Sequence, residues 1–162
     1  NFVKRVANHL FLDARMDRKA SEYRSRSLGY VAQRPHIMSN LTGRQYIDLT
    51  HQARGNFLNA EETQSITDEL EISDDLDKYP SELSGGELQR IALVFSLVHG
   101  PNILFADEPT AALDSVSSKK AIELLRGKAT GSTSVVLVSH DETHKDYADT
   151  IVQVHDGVAT LQ

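Results

Sequence analysis

A chain of 162 residues with 40% hydrophobic and 25% charged side chains suits one soluble globular domain around a single core, and excludes a disordered or fibrous class. Its 23 Asp and Glu against 17 Lys and Arg leave a formal net charge of -6, the opposite of a nucleic-acid binder's basic footprint, so no nucleic-acid partner is expected. The absence of cysteine rules out disulfides and thiolate metal sites, and the longest apolar run, residues 91–98 with Ser96 inside it, falls short of the roughly 20 residues that a bilayer span requires.

Asn1-Phe2-Val3-Lys4-Arg5 is followed by no apolar signal region, so a cytosolic location is the expectation. Phe2, Val3, Val6, Ala7 and Leu10 recur at helical spacing, and residues 9–13 read as a strand. Residues 28–32 form a short apolar run ending at Gln33, and Pro35 soon after it predicts a buried strand followed by a loop. Residues 42–97 read as mostly helical: Asn59 before Ala60-Glu61-Glu62 is a helix-start signature, and Asp74, Asp75, Asp77 and Pro80 mark a loop. Residues 103–106, 134–138 and 151–154 are apolar without polar alternation, as expected of strands covered on both faces. A helix over residues 116–126 separates the first two, and Asp156-Gly157 predicts a hairpin turn before a strand over 158–161. Strands alternating with helices indicate an α/β fold with a largely parallel sheet, and the helical stretch over 42–97 is expected to form a lobe within one domain over 1–162.

Ser84 can cap the helix that follows it while Glu87, three residues on, reaches back. Gly85 and Gly86, lacking side chains, leave backbone N–H groups open to an anion. Ser-Gly-Gly-Glu alone reads first as an ordinary capping box with a glycine-rich lead-in. The longer string Leu83-Ser84-Gly85-Gly86-Glu87-Leu88-Gln89-Arg90 is far more specific, and it resembles the signature motif of ATP-binding-cassette (ABC) ATPases. In that family the motif binds the γ-phosphate of ATP held by the opposite subunit of a dimer, a role the resemblance assigns to Leu83, Ser84, Gly85, Gly86, Glu87 and Gln89.

Ile103-Leu104-Phe105-Ala106-Asp107-Glu108 is a strand ending in two carboxylates, at the strand end where open α/β sheets bind ligands. It resembles the Walker B motif, which implies that Asp107 holds Mg²⁺ and that Glu108 orients the attacking water or takes its proton. Pro109-Thr110-Ala111-Ala112-Leu113-Asp114 resembles the family's D-loop, in which the aspartate helps align the two subunits' sites; Asp114 could equally cap the next helix. His140, at a strand end and before Asp141-Glu142, matches the switch histidine that contacts the γ-phosphate, whereas His36, His99 and His155 are expected to be plain loop residues. Gln33, within Tyr30-Val31-Ala32-Gln33-Arg34-Pro35, resembles the Q-loop glutamine that touches Mg²⁺ or the water and links the site to the membrane subunit.

The resemblance covers residues 21–161 and implies a P-loop NTPase-like parallel sheet core with a helical signature-motif lobe. No G-x-x-x-x-G-K-[ST] phosphate loop occurs: Gly127-Lys128-Ala129-Thr130 lacks the earlier glycine and the hydroxyl directly after lysine. Aligned on the family, Asn1 falls in or beyond the helix after that loop, so the domain is expected to be N-terminally incomplete, with the Walker A lysine upstream. Phe95-Ser96 stands where the family commonly has Arg-Ala.

The implied activity is ATP hydrolysis with ATP and Mg²⁺ in a head-to-tail dimer with a second ABC subunit, peripheral on the cytoplasmic face of the membrane and driving transport through a transmembrane permease. The motifs most resemble the lipoprotein-release and macrolide-export subgroup. The alternative is an incomplete fragment that only folds, dimerises or regulates. An ABC ATPase of DNA repair or translation would call for basic surface or coiled-coil insertions, which the sequence lacks.

Overall fold

The computed structural model describes residues 27–54, 60–129 and 133–162. The helix and strand expected over residues 2–13 and the Asn59 cap lie outside these residues. Three parallel strands make the central sheet: β1 (Leu28–Val31), β2 (Ile103–Asp107) and β3 (Ser134–Val138), in the order β1-β2-β3. Tyr30 lies opposite Phe105, and Phe105 opposite Val136. This is the mixed α/β architecture that the alternating pattern called for.

The segment between β1 and β2 folds into α1 (Gly43–Arg54), α2 (Ala60–Glu69) and α3 (Gly85–Leu97). The stretch expected as plain loop holds two single-turn 3-10 helices, Ser73–Asp75 and Pro80–Glu82. Pro80 costs nothing at the start of such a turn, because its missing N–H would have had no partner there, and Glu82 Oε2 accepts the N–H of Tyr79 at 2.7 Å. Phe95, the departure from the family pattern, stacks on Tyr46 with ring centroids 3.9 Å apart and planes at 20°, joining α1 to α3. The last long helix, α4 (Ser115–Ala129), is longer than its apolar pattern suggested, because Asp114 caps it one residue earlier and it runs on through Gly127, Lys128 and Ala129.

One continuous apolar core links these helices to the sheet. Ile66, Leu70, Ile91, Leu93, Val94 and Leu97 meet Val31, Leu104, Ala106, Ala121, Ile122 and Leu125. Val31, Leu104 and Ala106 share one face of the sheet by strand alternation. Gly29 lies on that face, where a Cβ would stand 2.6 Å from the Ser96 carbonyl oxygen and 2.8 Å from Leu104 Cδ1. Only glycine lets α3 approach β1 so closely. On the opposite face Leu28 and Phe105 pack with Tyr30 and Val138.

Coverage of the strands corrects the sequence reading. Of the three runs expected to be covered on both faces only β2 is well buried, with Leu104 through Asp107 inside, whereas the residues of β3 are exposed or half-buried. The third run forms β4 (Val152–His155), one residue later than expected, and pairs antiparallel with β5 (Val158–Leu161) as a separate two-stranded sheet whose residues are all exposed. Apolar composition does not encode coverage: among the described residues these two strands pair with no strand but each other. The turn itself matches its signal, since Asp156 and Gly157 both take positive φ, 49° and 81°, as a two-residue hairpin requires.

Candidate functional site

Ser84 takes extended backbone angles just before α3, and its Oγ accepts the N–H of Glu87 at 3.3 Å while Glu87 Oε2 accepts the N–H of Ser84 at 2.6 Å. The bond from the Ser84 backbone N–H, and after it a side-chain hydrogen bond with Ser84, hold the Glu87 carboxyl below the usual carboxylate range. Ser84 and Gly85 are exposed, and a Cβ on Gly85 would meet nothing within 4 Å, so the helix end is open to an approaching anion. Gly86 instead packs against the loop before α4, where a Cβ would stand 3.3 Å from the Ala112 carbonyl oxygen. Leu83 is half-buried against the core.

Gln89, grouped by the resemblance with the phosphate-facing residues, lies inside the fold. It is 0% exposed and its amide nitrogen donates to the Ala32 carbonyl at 3.4 Å. Helical spacing explains this: Gln89, Leu93 and Leu97 are four residues apart and share the inward face. Gln89 thereby ties α3 to the chain leaving β1, directly beside Gln33, which is exposed.

The second cluster lies at the carboxyl ends of β2 and β3. Asp107 closes β2 and is 1% exposed. Burial, and then the charge of Asp107, push the Tyr30 hydroxyl above its ordinary value. Glu108 follows in the left-handed region at φ 51°, its N–H donating to the Val138 carbonyl at 2.9 Å. A non-glycine residue held there is strained by about 1 kcal/mol or more, and the reversal aims the side chain across β3. Glu108 Oε1 lies 2.8 Å from His140 Nδ1, with side chains 16% and 81% exposed respectively. The bond to Glu108, then that carboxylate's charge and that of Asp141, raise the His140 imidazole above its ordinary value.

Asp114 caps α4: its Oδ1 accepts the N–H groups of Val116 and Ser117 at 2.9 and 3.0 Å, and its Oδ2 accepts the Ser117 hydroxyl at 2.8 Å. These bonds, led by the Ser117 backbone, lower its pKa. Arg90 Nη1 donates to the same Ser117 hydroxyl at 3.4 Å, a link between the starts of α3 and α4 that the sequence reading missed. Of the histidines expected as plain loop residues, His36 is exposed in a loop, His155 ends β4, and His99 is buried with Nε2 3.0 Å from the Leu28 carbonyl. His144, also missed, is 6% exposed and contacts Ser139.

Among the described residues no group of three or more acidic, histidine or cysteine side chains could hold a metal by itself. The single buried carboxylate of Asp107 fits Mg²⁺, which takes one or two carboxylates and fills its shell from phosphate and water.

The sequence profile of the ABC transporter family matches residues 4–111. The chain is 34% identical over 143 residues to the probable syringafactin export ATP-binding/permease protein SyfD of Pseudomonas syringae pv. syringae (strain B728a), covering 87% of this chain and 22% of that protein. It is 31% identical over 140 residues to the macrolide export ATP-binding/permease protein MacB of Shewanella sp. (strain W3-18-1), covering 85% of this chain and 22% of that protein. The chain thus spans about a fifth of the length of these relatives, which fall in the expected macrolide-export-like subgroup. The dimeric structure of a bacterial ABC transporter cassette superposes with a TM-score of 0.76 at 27% identity, over 90% of this chain and 66% of that one. A related cassette dimer, in a post-hydrolysis state bound to ADP and phosphate, gives 0.72 at 28% identity over 88% and 65%. The described sheet and helices are therefore part of a P-loop NTPase fold.

Proposed function

The chain belongs to the ABC transporter family of ATP-binding cassettes, whose members hydrolyse ATP, and on that footing we propose that it binds and hydrolyses ATP and couples hydrolysis to transport through a membrane permease. The observation that carries this reading is the Glu108–His140 contact beside buried Asp107, on two neighbouring parallel strand ends. There Glu108 accepts a proton from, or orients, the water that attacks the γ-phosphate, releasing ADP and phosphate. His140 touches the γ-phosphate and holds Glu108 in place, and Gln33 reports nucleotide state to the permease. Asp107, with Gln33, would hold Mg²⁺, which when bound neutralises charge on the phosphates.

The exposed, glycine-opened start of α3 supports a second contact surface. Leu83, Ser84, Gly85, Gly86 and Glu87 form the surface that meets the γ-phosphate of a nucleotide held by a second cassette, and Asp114 aligns the pair. The dimeric state of the similar solved cassettes favours such a partner. The ATP-binding/permease names of the two exporters favour a transmembrane partner, since no helix among the described residues is long and apolar enough to cross a membrane. The working position is against the cytoplasmic face of that permease.

Titration calorimetry with ATP·Mg²⁺, paired with a phosphate-release assay of the full-length protein, tests this. Saturable binding and steady phosphate release are expected. The absence of both would overturn the reading in favour of a chain that only folds, dimerises or regulates.

A further inference from the structure

The turn that presents His140 is fastened from inside the fold by a second histidine. His144 is the one buried residue of the 3-10 helix Glu142–Tyr147. Its Nδ1 lies 2.8 Å from Ser139 Oγ, and its Nε2 lies 3.6 Å from Asp141 Oδ2. Ser139 Oγ also accepts the backbone N–H of Asp141 at 3.0 Å. A hydroxyl has one proton to give and room to accept. With His144 in the tautomer protonated at Nε2, the ring runs one way: the Asp141 N–H donates to Ser139, the Ser139 hydroxyl donates to His144 Nδ1, and His144 Nε2–H faces the Asp141 carboxylate. His140 stands within this ring, between Ser139 and Asp141, and its own side chain is 81% exposed. Packing cannot aim a side chain so exposed, so its direction comes from the backbone turn.

We propose that His144 is a positioning residue for His140: by holding Ser139 it fixes the turn at the angle that brings the His140 imidazole to Glu108. The inference rests on the reading of Glu108 and His140 as the hydrolytic pair, but its test needs no nucleotide. In the full chain, the His140 imidazole is titrated by NMR in the wild type and in His144→Phe, Ser139→Ala and His144→Asn. Phenylalanine keeps the volume and removes the polar contact, alanine removes a single oxygen, and asparagine sets an amide atom where Nδ1 stands.

Glu108 and Asp141 are the charged groups facing His140, and Glu108 raises its midpoint in the wild type. That midpoint is expected to fall toward the ordinary imidazole value in His144→Phe and Ser139→Ala, and to stay raised in His144→Asn. An unchanged His140 midpoint in folded Ser139→Ala would overturn the proposal, and that variant decides where His144→Phe does not fold. A chain that proves unable to hydrolyse ATP would leave this result standing, while loss of the coupling alone would leave the hydrolytic reading standing.

Discussion

Glu108 Oε1 and His140 Nδ1 meet at 2.8 Å across 32 residues of sequence, because parallel pairing sets the ends of β2 and β3 side by side and Glu108 then turns toward β3. The backbone bond from Glu108 to Val138 carries the ladder one residue past Asp107. The contact therefore rests on sheet register as much as on side-chain chemistry.

From this pairing follows a pH dependence. The raised imidazole value means that the folded state holds the proton more tightly than the unfolded state, whose imidazole titrates at about 6.5. The stabilisation is complete below the unfolded value and is lost as pH rises through the raised folded value. The urea midpoint of the wild type relative to His140→Gln is expected to shrink over that window. A difference that grows with pH would contradict the pairing.

Glu108→Gln keeps the size of the side chain and removes its basicity. Loss of a positioned base costs roughly a hundred- to ten-thousand-fold in rate, so phosphate release is expected to fall by that much while calorimetric ATP binding persists. Undiminished turnover would remove Glu108 from the chemistry.

Ser84→Ala removes the cap of α3 and the acceptor for the Glu87 N–H. A cap of this kind contributes about 1 kcal/mol, to be seen in urea unfolding. Sedimentation with ATP should also show a weaker dimer. If the dimer is untouched by the change, the start of α3 is not the contact surface.

Asp114 serves two readings that one pair of variants separates. Asparagine caps helices about as well as aspartate, whereas alanine costs about 1 kcal/mol. Asp114→Asn should keep the unfolding midpoint yet weaken nucleotide-dependent dimerisation, and Asp114→Ala should lower both. Full dimerisation in Asp114→Asn would reduce the residue to a cap.

Gly29→Ala forces a methyl group to within 2.6 Å of a backbone oxygen. Overpacking of that kind costs about 1–3 kcal/mol. Urea unfolding of this variant should show a loss in that range, and a neutral result would mean that α3 can back away from β1.

Local signals carried most of the fold and the site. The Ser84–Glu87 box, the Asp156-Gly157 turn and the carboxylate-tipped β2 depend on residues within a few positions of each other, so their spacing reveals them. Gln89 escaped, because its inward direction depends on the register of α3 against β1 and not on its neighbours in the motif. His144 escaped for the same reason: four positions beyond His140, it shows its burial only once the turn is folded. The exposure of β3 and of the hairpin was equally hidden, since an apolar run says which residues prefer cover and not whether another layer supplies it.

Within residues 86–90 of α3, three separate segments are engaged: Gly86 abuts Ala112, Gln89 grips Ala32, and Arg90 reaches Ser117. From Ser84 to Arg90 an α-helix rises only about 9 Å, and over so short a length it behaves as a stiff strut. The chain that leaves β1, the glycine-opened tip and the start of α4 are therefore joined through less than two turns of a single helix.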